Sequence, residues 1–107
     1  MEVMAAAKLV VNTTSNGKGL TIAIVGRFNL ELHKEFRKAF EDPSQRYERY
    51  VVNMQDCTGI DSAGLGMLLI LRDYTQLNRD GLCLLDCPKG IRQVLSYANF
   101  EQLFTIS

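Results

Sequence analysis

Apolar positions fall in short clusters along the chain, and their spacing alternates between every second residue and every third or fourth. Leu9-Val10-Val11 and Leu20-Thr21-Ile22-Ala23-Ile24-Val25 flank the turn cluster Ser15-Asn16-Gly17-Lys18-Gly19, and together they predict a β-hairpin. In the second strand Leu20, Ile22 and Ile24 share one face while Thr21, Ala23 and Val25 share the other, and Gly26 ends the run. Asn29 is placed to cap a helix. Leu32, Phe36, Ala39 and Phe40 then recur at helical spacing, Glu31, Lys34, Glu35, Arg37 and Lys38 cover the remaining surface, and Pro43 stops the element. Tyr50-Val51-Val52-Asn53-Met54 reads as a short, largely apolar central strand.

A helix follows from about Ala63 to Leu77. A turn at Arg79-Asp80-Gly81 leads into the strand Leu82-Cys83-Leu84-Leu85. Pro88 opens a third helix, where Ile91, Val94, Leu95 and Ala98 form an apolar stripe, and Leu103-Phe104-Thr105-Ile106 is a last strand. The order β-β-α-β-α-β-α-β predicts an α/β fold. Single helices between strands require parallel pairing with right-handed crossovers, so the expected sheet is mixed but largely parallel, with four to five strands and helices mainly on one face. The 107 residues suffice for one domain and one core, spanning residues 1–107.

Composition removes several function classes. Twelve acidic and twelve basic residues give a formal net charge of zero. No basic field exists to hold nucleic acid, and no Lys/Arg cluster suggests a membrane surface. No apolar run approaches the roughly 20 residues needed to span a bilayer. Residues Met1 to Val11 carry Glu2 early and lack a basic leader with a long apolar core, so no secretory signal is expected. The three cysteines, Cys57, Cys83 and Cys87, lie in or beside apolar runs and read as buried thiols of a reducing cytoplasm. Cys83 and Cys87 are separated by three residues and His33, the one histidine, lies in another segment, so neither a metal site nor a cofactor is expected.

The most informative stretch is Ile60-Asp61-Ser62-Ala63-Gly64-Leu65-Gly66, where a strand-like run turns into the apolar helix. Ser62 is placed at the helix mouth, among unpaired N–H donors and a partial positive charge. One reading makes Ser62 the cap, its oxygen accepting from the N–H of Gly64 or Leu65 for about 1 kcal/mol, with Asp61 adding favourable charge. In the other, the cap is also chemically modified. Gly64 and Gly66 each cost about 1 kcal/mol against alanine inside a helix, and capping alone does not explain two such losses. Bare backbone there lets another molecule or element approach closely.

Enzyme templates fit worse. Ile60 stands where a nucleophile elbow needs glycine. A Ser-His-Asp triad has only His33, on the exposed-looking part of the first helix. Leu69 stands where a dinucleotide loop needs glycine or alanine. The helix after the motif is apolar around the whole cylinder (Leu65, Met67, Leu68, Leu69, Ile70, Leu71). It is either buried on several sides or presents apolar surface to a partner, with Met67 or Ile70 near Ser62 as the outward candidates.

Asp61-Ser62-Ala63-Gly64-Leu65-Gly66, preceded by a strand and followed by an apolar helix, resembles the Asp-Ser-Ser/Thr/Ala-Gly-Leu-Gly signature of STAS domains, and more specifically of the bacterial anti-sigma factor antagonists. The resemblance covers about residues 8–106. Gly26 aligns with the glycine that ends the second strand, and Asn99-Phe100 with the segment after the last long helix. Leu65 to Asp73 and Asn99 to Phe104 look closest to single-domain antagonists of gamma-proteobacteria that participate in switching between surface-attached and motile growth.

The resemblance implies a cytoplasmic, non-enzymatic signalling protein that works by partner switching. The antagonist binds an anti-sigma factor, usually a serine kinase of the histidine-kinase-like ATPase fold, and so frees a sigma factor for transcription. The kinase phosphorylates the serine directly after the aspartate, here Ser62, and a PP2C-type phosphatase reverses this. Asp61, Ser62, Ala63, Gly64, Leu65, Gly66, Met67 and Ile70 then form the partner-binding surface. One departure concerns the residues after Gly26, where the family often has an acid and, two residues later, an aspartate; this chain has Arg27 and Asn29. The competing reading is a constitutive STAS accessory subunit of a lipid transporter, which uses the same surface without phosphorylation.

Overall fold

The computed structural model describes residues 7–107. The expectation about a leader falls mainly on residues 1–6, which lie outside the described residues. The chain is α/β. Strands β1 (Lys8–Thr13) and β2 (Gly19–Phe28) form the expected hairpin, antiparallel in register from Lys8↔Val25 to Thr13↔Leu20. A 3₁₀ turn, Leu30–Leu32, leads into α1 (His33–Phe40). Then come β3 (Arg49–Asn53), β4 (Cys57–Ile60), α2 (Ser62–Thr75), β5 (Leu82–Leu85), α3 (Lys89–Tyr97), a second 3₁₀ turn at Phe100–Gln102, and β6 (Thr105–Ile106). The main sheet runs β1-β2-β3-β5-β6, and β4 pairs separately with β2. Every pairing except β1–β2 is parallel, as the intervening helices require.

The period-two pattern of β2 converts directly into burial. Leu20, Ile22 and Ile24 are buried, while Thr21, Ala23 and Val25 are half-buried. Register carries the same face across the sheet: Leu20 sits beside Tyr50 and Tyr50 beside Leu82, and likewise Ile22 beside Val52 and Val52 beside Leu84. These residues join Leu32, Phe36 and Phe40 of the first helical segment, Met67, Leu68 and Leu71 of α2, and Ile91 and Leu95 of α3 in one core. Aromatic rings bind the layers. Phe28 of β2 meets Phe36 of α1 at 5.0 Å between centroids, Phe36 meets Phe40 at 5.3 Å, and Phe40 meets Tyr74 of α2 edge-on at 5.5 Å.

Three elements differ from the sequence pattern. Gly26 does not end the second strand. Its φ of +94° lies in the region open to glycine, and it marks a register shift after which Arg27 and Phe28 pair with β4. The residues read as a loop before the motif, Cys57 to Ile60, are therefore a strand. Their composition hides this, because Thr58 and Gly59 break any apolar alternation and only the bulged end of β2 offers them a partner. The final strand is shorter than Leu103 to Ile106, since Leu103 and Phe104 complete the 3₁₀ turn: the N–H of each donates to Phe100 O at 2.9 Å.

Candidate functional site

The site is the corner where β4 passes into α2. Asp61 continues the extended run (φ −115°, ψ −172°), and its N–H reaches Phe28 O at 3.5 Å. From that conformation its carboxylate Oδ1 accepts the N–H of Gly64 at 3.0 Å, which makes Asp61 the N-cap of α2. Ser62 is the first helical residue. This corrects the expectation that Ser62 supplies the cap. Both residue types can cap, and the one whose backbone is held extended by the β2–β4 pairing takes the role. The Ser62 side chain is thereby left out of the cap, at an exposed position.

Gly64 is buried, and its role is internal. A Cβ there would fall against the backbone oxygen of Phe28 and within 2.7 Å of Ile60 Cγ1. Glycine at this position lets the first turn of α2 sit directly on β2 and β4. Gly66 differs, since nothing lies within 4 Å of a Cβ built on it. The close packing of Gly64 against the fold and the open space around Gly66 separate two glycines that look equivalent in sequence.

Among the remaining expected contact residues, Asp61 and Ser62 are exposed, and Ala63, Leu65, Gly66 and Ile70 are half-buried. Met67 is 1% exposed and belongs to the core, so its place on an outward surface is overturned. A helix apolar on all sides carries no phase, and the sheet selects Met67, Leu68 and Leu71 as the buried stripe. The outward apolar residue is Leu69, 43% exposed.

A shallow groove of about 320 Å³ adjoins the motif through Ile60. Cys57, Thr58 and Gly59 line one side, and Pro88, Ile91 and Val94 are on the other. Val94 is exposed because α3 turns only Ile91 and Leu95 of its expected stripe inward; Ala98 is exposed as well. The sequence gives no signal for Thr58, since the strand that places it has no pattern of its own, and the stripe read for the third helix put Val94 and Ala98 on the inner side, where the fold buries only Ile91 and Leu95. A larger open cavity, lined by Arg79, Lys89, Arg92 and Glu101 among others, shares no residue with the motif.

Cys57, Cys83 and Cys87 are free and buried, as expected. Burial pushes the Cys57 thiol above its ordinary range, with backbone hydrogen bonding at Gly59 and Phe28 acting the other way; the protonated thiol donates from Sγ to the Gly59 carbonyl oxygen at 3.3 Å. Burial also pushes Cys87 up to about 11, with nearby Arg92 acting in the opposite direction. Among the described residues no helix is long and apolar enough to cross a membrane.

Known proteins share this architecture. The anti-sigma factor antagonist SpoIIAA, in its unphosphorylated form, superposes with a TM-score of 0.67 at 14% identity, covering 94% of this chain and 87% of its own. A Thermotoga maritima protein matches at 0.75 with 18% identity, over 92% of this chain and 84% of that one. An antisigma-factor antagonist STAS domain from Rhodobacter sphaeroides matches at 0.59 with 15% identity, over 77% of this chain and 88% of that one. At these identities the likeness is one of fold. Sequence similarity is higher with a STAS-domain containing protein of Pseudomonas aeruginosa (strain UCBPP-PA14), 43% identical over 94 residues, which are 88% of this chain and 93% of that protein. The family model described as "Mlab, STAS domain" matches residues 11–105. A strand delivering an Asp-Ser pair to the mouth of an apolar helix, on a sheet of this order, is thus matched along nearly its whole length: the chain belongs to the STAS-domain family.

Proposed function

We propose that this protein is a cytoplasmic anti-sigma factor antagonist that works by partner switching. With Ser62 unmodified, it binds an anti-sigma factor that is also a serine kinase of the histidine-kinase-like ATPase fold. Asp61, Ser62, Ala63, Leu65, Gly66 and Ile70 contribute to the contact, Leu69 extends it, and Gly64 holds the corner in shape. The kinase passes the γ-phosphoryl group of ATP to Ser62 Oγ; the hydroxyl proton leaves, ADP departs, and the antagonist is released. A PP2C-type phosphatase returns it to the binding form. The protein itself catalyses neither step, and its output is the freeing of a sigma factor, with control of surface attachment and motility as the expected process.

The observation that carries this reading is the exposed Ser62 at the first position of α2, outside a cap already made by Asp61. Phosphate there adds about −1.5 to −2 charges without removing a hydrogen bond the fold uses. The helix end accommodates an anion, while the half-buried Leu65 and Ile70 and the exposed Leu69 make the surrounding surface partly apolar and sensitive to added charge.

The test is affinity capture from cells with wild type, Ser62→Ala and Ser62→Asp, followed by identification of the bound protein and phosphopeptide mapping. Capture of one kinase-fold protein by wild type and Ser62→Ala, its loss with Ser62→Asp, and phosphate on Ser62 are the expected outcome. Equal capture by all three, with no phosphate on Ser62 in any growth condition, overturns the reading. It would favour instead a constitutive accessory module, such as a lipid transporter subunit, that uses the same surface unmodified.

A further inference from the structure

We propose that Arg27 receives the phosphate placed on Ser62, closing an intramolecular ion pair across the β2–β4 edge. The inference rests on the modification of Ser62 argued above. Arg27 is exposed and lies just past the bulge at Gly26, paired with Gly59 in the parallel register of β2 and β4. Its Nε lies 3.9 Å from where a Cβ on Gly59 would stand. The arginine therefore lies across β4 at the one position of that strand with no side chain.

Residues two apart in an extended run face the same way, so Gly59 and Asp61 share the side that Arg27 lies on, and Ser62 follows at once. Ile60 does not stand in between, because its Cγ1 packs toward Gly64. Two extended residues, Ile60 and Asp61, stand between Gly59 and Ser62, so three Cα-to-Cα steps span at most about 10 Å. A long, flexible guanidinium stem and a phosphate projecting from a serine oxygen close that interval from both ends.

Charge points the same way. Among the described residues the one salt bridge joins Arg37 to Glu41, so Arg27 has no carboxylate partner there. Asp61, the nearest acid in sequence to Ser62, is engaged by the Gly64 N–H. A guanidinium offers a planar fork of donors and phosphate offers three strong acceptor oxygens, a match that a hydroxyl does not provide. The N–H groups of Ser62 and Ala63, in the first turn of α2, add donors on the other side of the same phosphate. Phosphorylation then changes two charges on the docking face: it adds one at Ser62 and neutralises the one at Arg27.

The test uses the full chain with phosphoserine incorporated at position 62 during translation, so it does not depend on any cellular kinase. Phosphorus NMR follows the second ionisation of the phosphate, near about 6 when unperturbed, in the native, Arg27→Gln and Arg27→Lys backgrounds. Asp61 beside the phosphate and Asp56 at the far end of β4 are present in all three proteins, so their effect cancels. The expected midpoint is lower in the native background than in Arg27→Gln by roughly 0.5–1 unit, with Arg27→Lys between them and the difference collapsing near 1 M salt. The Nε–H resonance of Arg27 should move on phosphorylation. Coincident midpoints in all three proteins, with an unmoved Arg27 resonance, overturn the pair while leaving the switching reading intact. Absence of phosphate from Ser62 in cells would instead sink the switching reading while leaving the measured pair standing.

Discussion

At the residue scale the site turns on which of two neighbouring cap formers takes the cap. Asp and Ser are almost equally good N-caps, and the text Asp61-Ser62 does not choose between them. The choice is made across the sheet, where the bulge at Gly26 carries β2 far enough for Phe28 O to meet the Asp61 N–H. The consequence is a separation of labour that can be measured. Asp61→Ala removes the acceptor for Gly64 N–H and a favourable charge at the helix end, and should lower stability by about 1–2 kcal/mol. Ser62→Ala removes a side chain that caps nothing and replaces serine by a better helix former, so its effect should stay within about 0.5 kcal/mol. Urea unfolding of both variants checks this. A loss for Ser62→Ala equal to that for Asp61→Ala would return the cap to Ser62 and tie any modification of Ser62 to the integrity of the helix.

At the scale of the element, α2 carries two glycines with opposite physical meanings. Gly64→Ala places a methyl group against the Phe28 carbonyl and Ile60, both fixed in the sheet; overpacking of this kind should cost about 3 kcal/mol. Gly66→Ala meets open space and should stabilise the domain by up to about 1 kcal/mol through helix propensity, while reducing capture of the partner if the bare backbone is used in docking. Thermal melts and the capture assay on the same two proteins separate the roles, and a stability loss for Gly66→Ala would show that this surface is packed after all. The same element shows how much the sequence carries. Strict alternation in β2 and 3.6-residue recurrence in α1 each specify a face, and the buried residues of both lie where the pattern put them. From Leu65 to Leu71 every residue except Gly66 is a large apolar one, so no phase is encoded, and Met67 could be assigned inward only once the sheet was present. β4 was illegible for a related reason: a short strand containing threonine and glycine has no periodicity of its own and exists through its partner.

At the scale of the whole molecule, two buried thiols, Cys57 and Cys87, make the fold sensitive to alkali. Cys87 has an ordinary value of 9.0, which burial lifts to about 11 in the folded protein. In the unfolded chain that thiol titrates near its ordinary value. Below about pH 9 both states hold the proton, and the group contributes no pH dependence. Between about 9 and 11 the unfolded chain has released its proton while the folded protein retains it, so the unfolded state binds fewer protons and stability falls as pH rises. Cys57, also raised by burial, acts in the same direction. Lysines and tyrosines ionise in the same window, so the informative quantity is a difference: unfolding free energy against pH for wild type and for Cys87→Ala. The variant should start lower at about pH 7, having lost a buried side chain, and then decline less steeply between about pH 9 and 11, so the two curves converge. The same protonation implies slow alkylation of the native protein by iodoacetamide at about pH 8 and rapid labelling in urea. Parallel stability curves across that window, together with fast native labelling, would mean that the Cys87 thiol ionises as freely in the fold as in the open chain, and that its burial does not hold the proton.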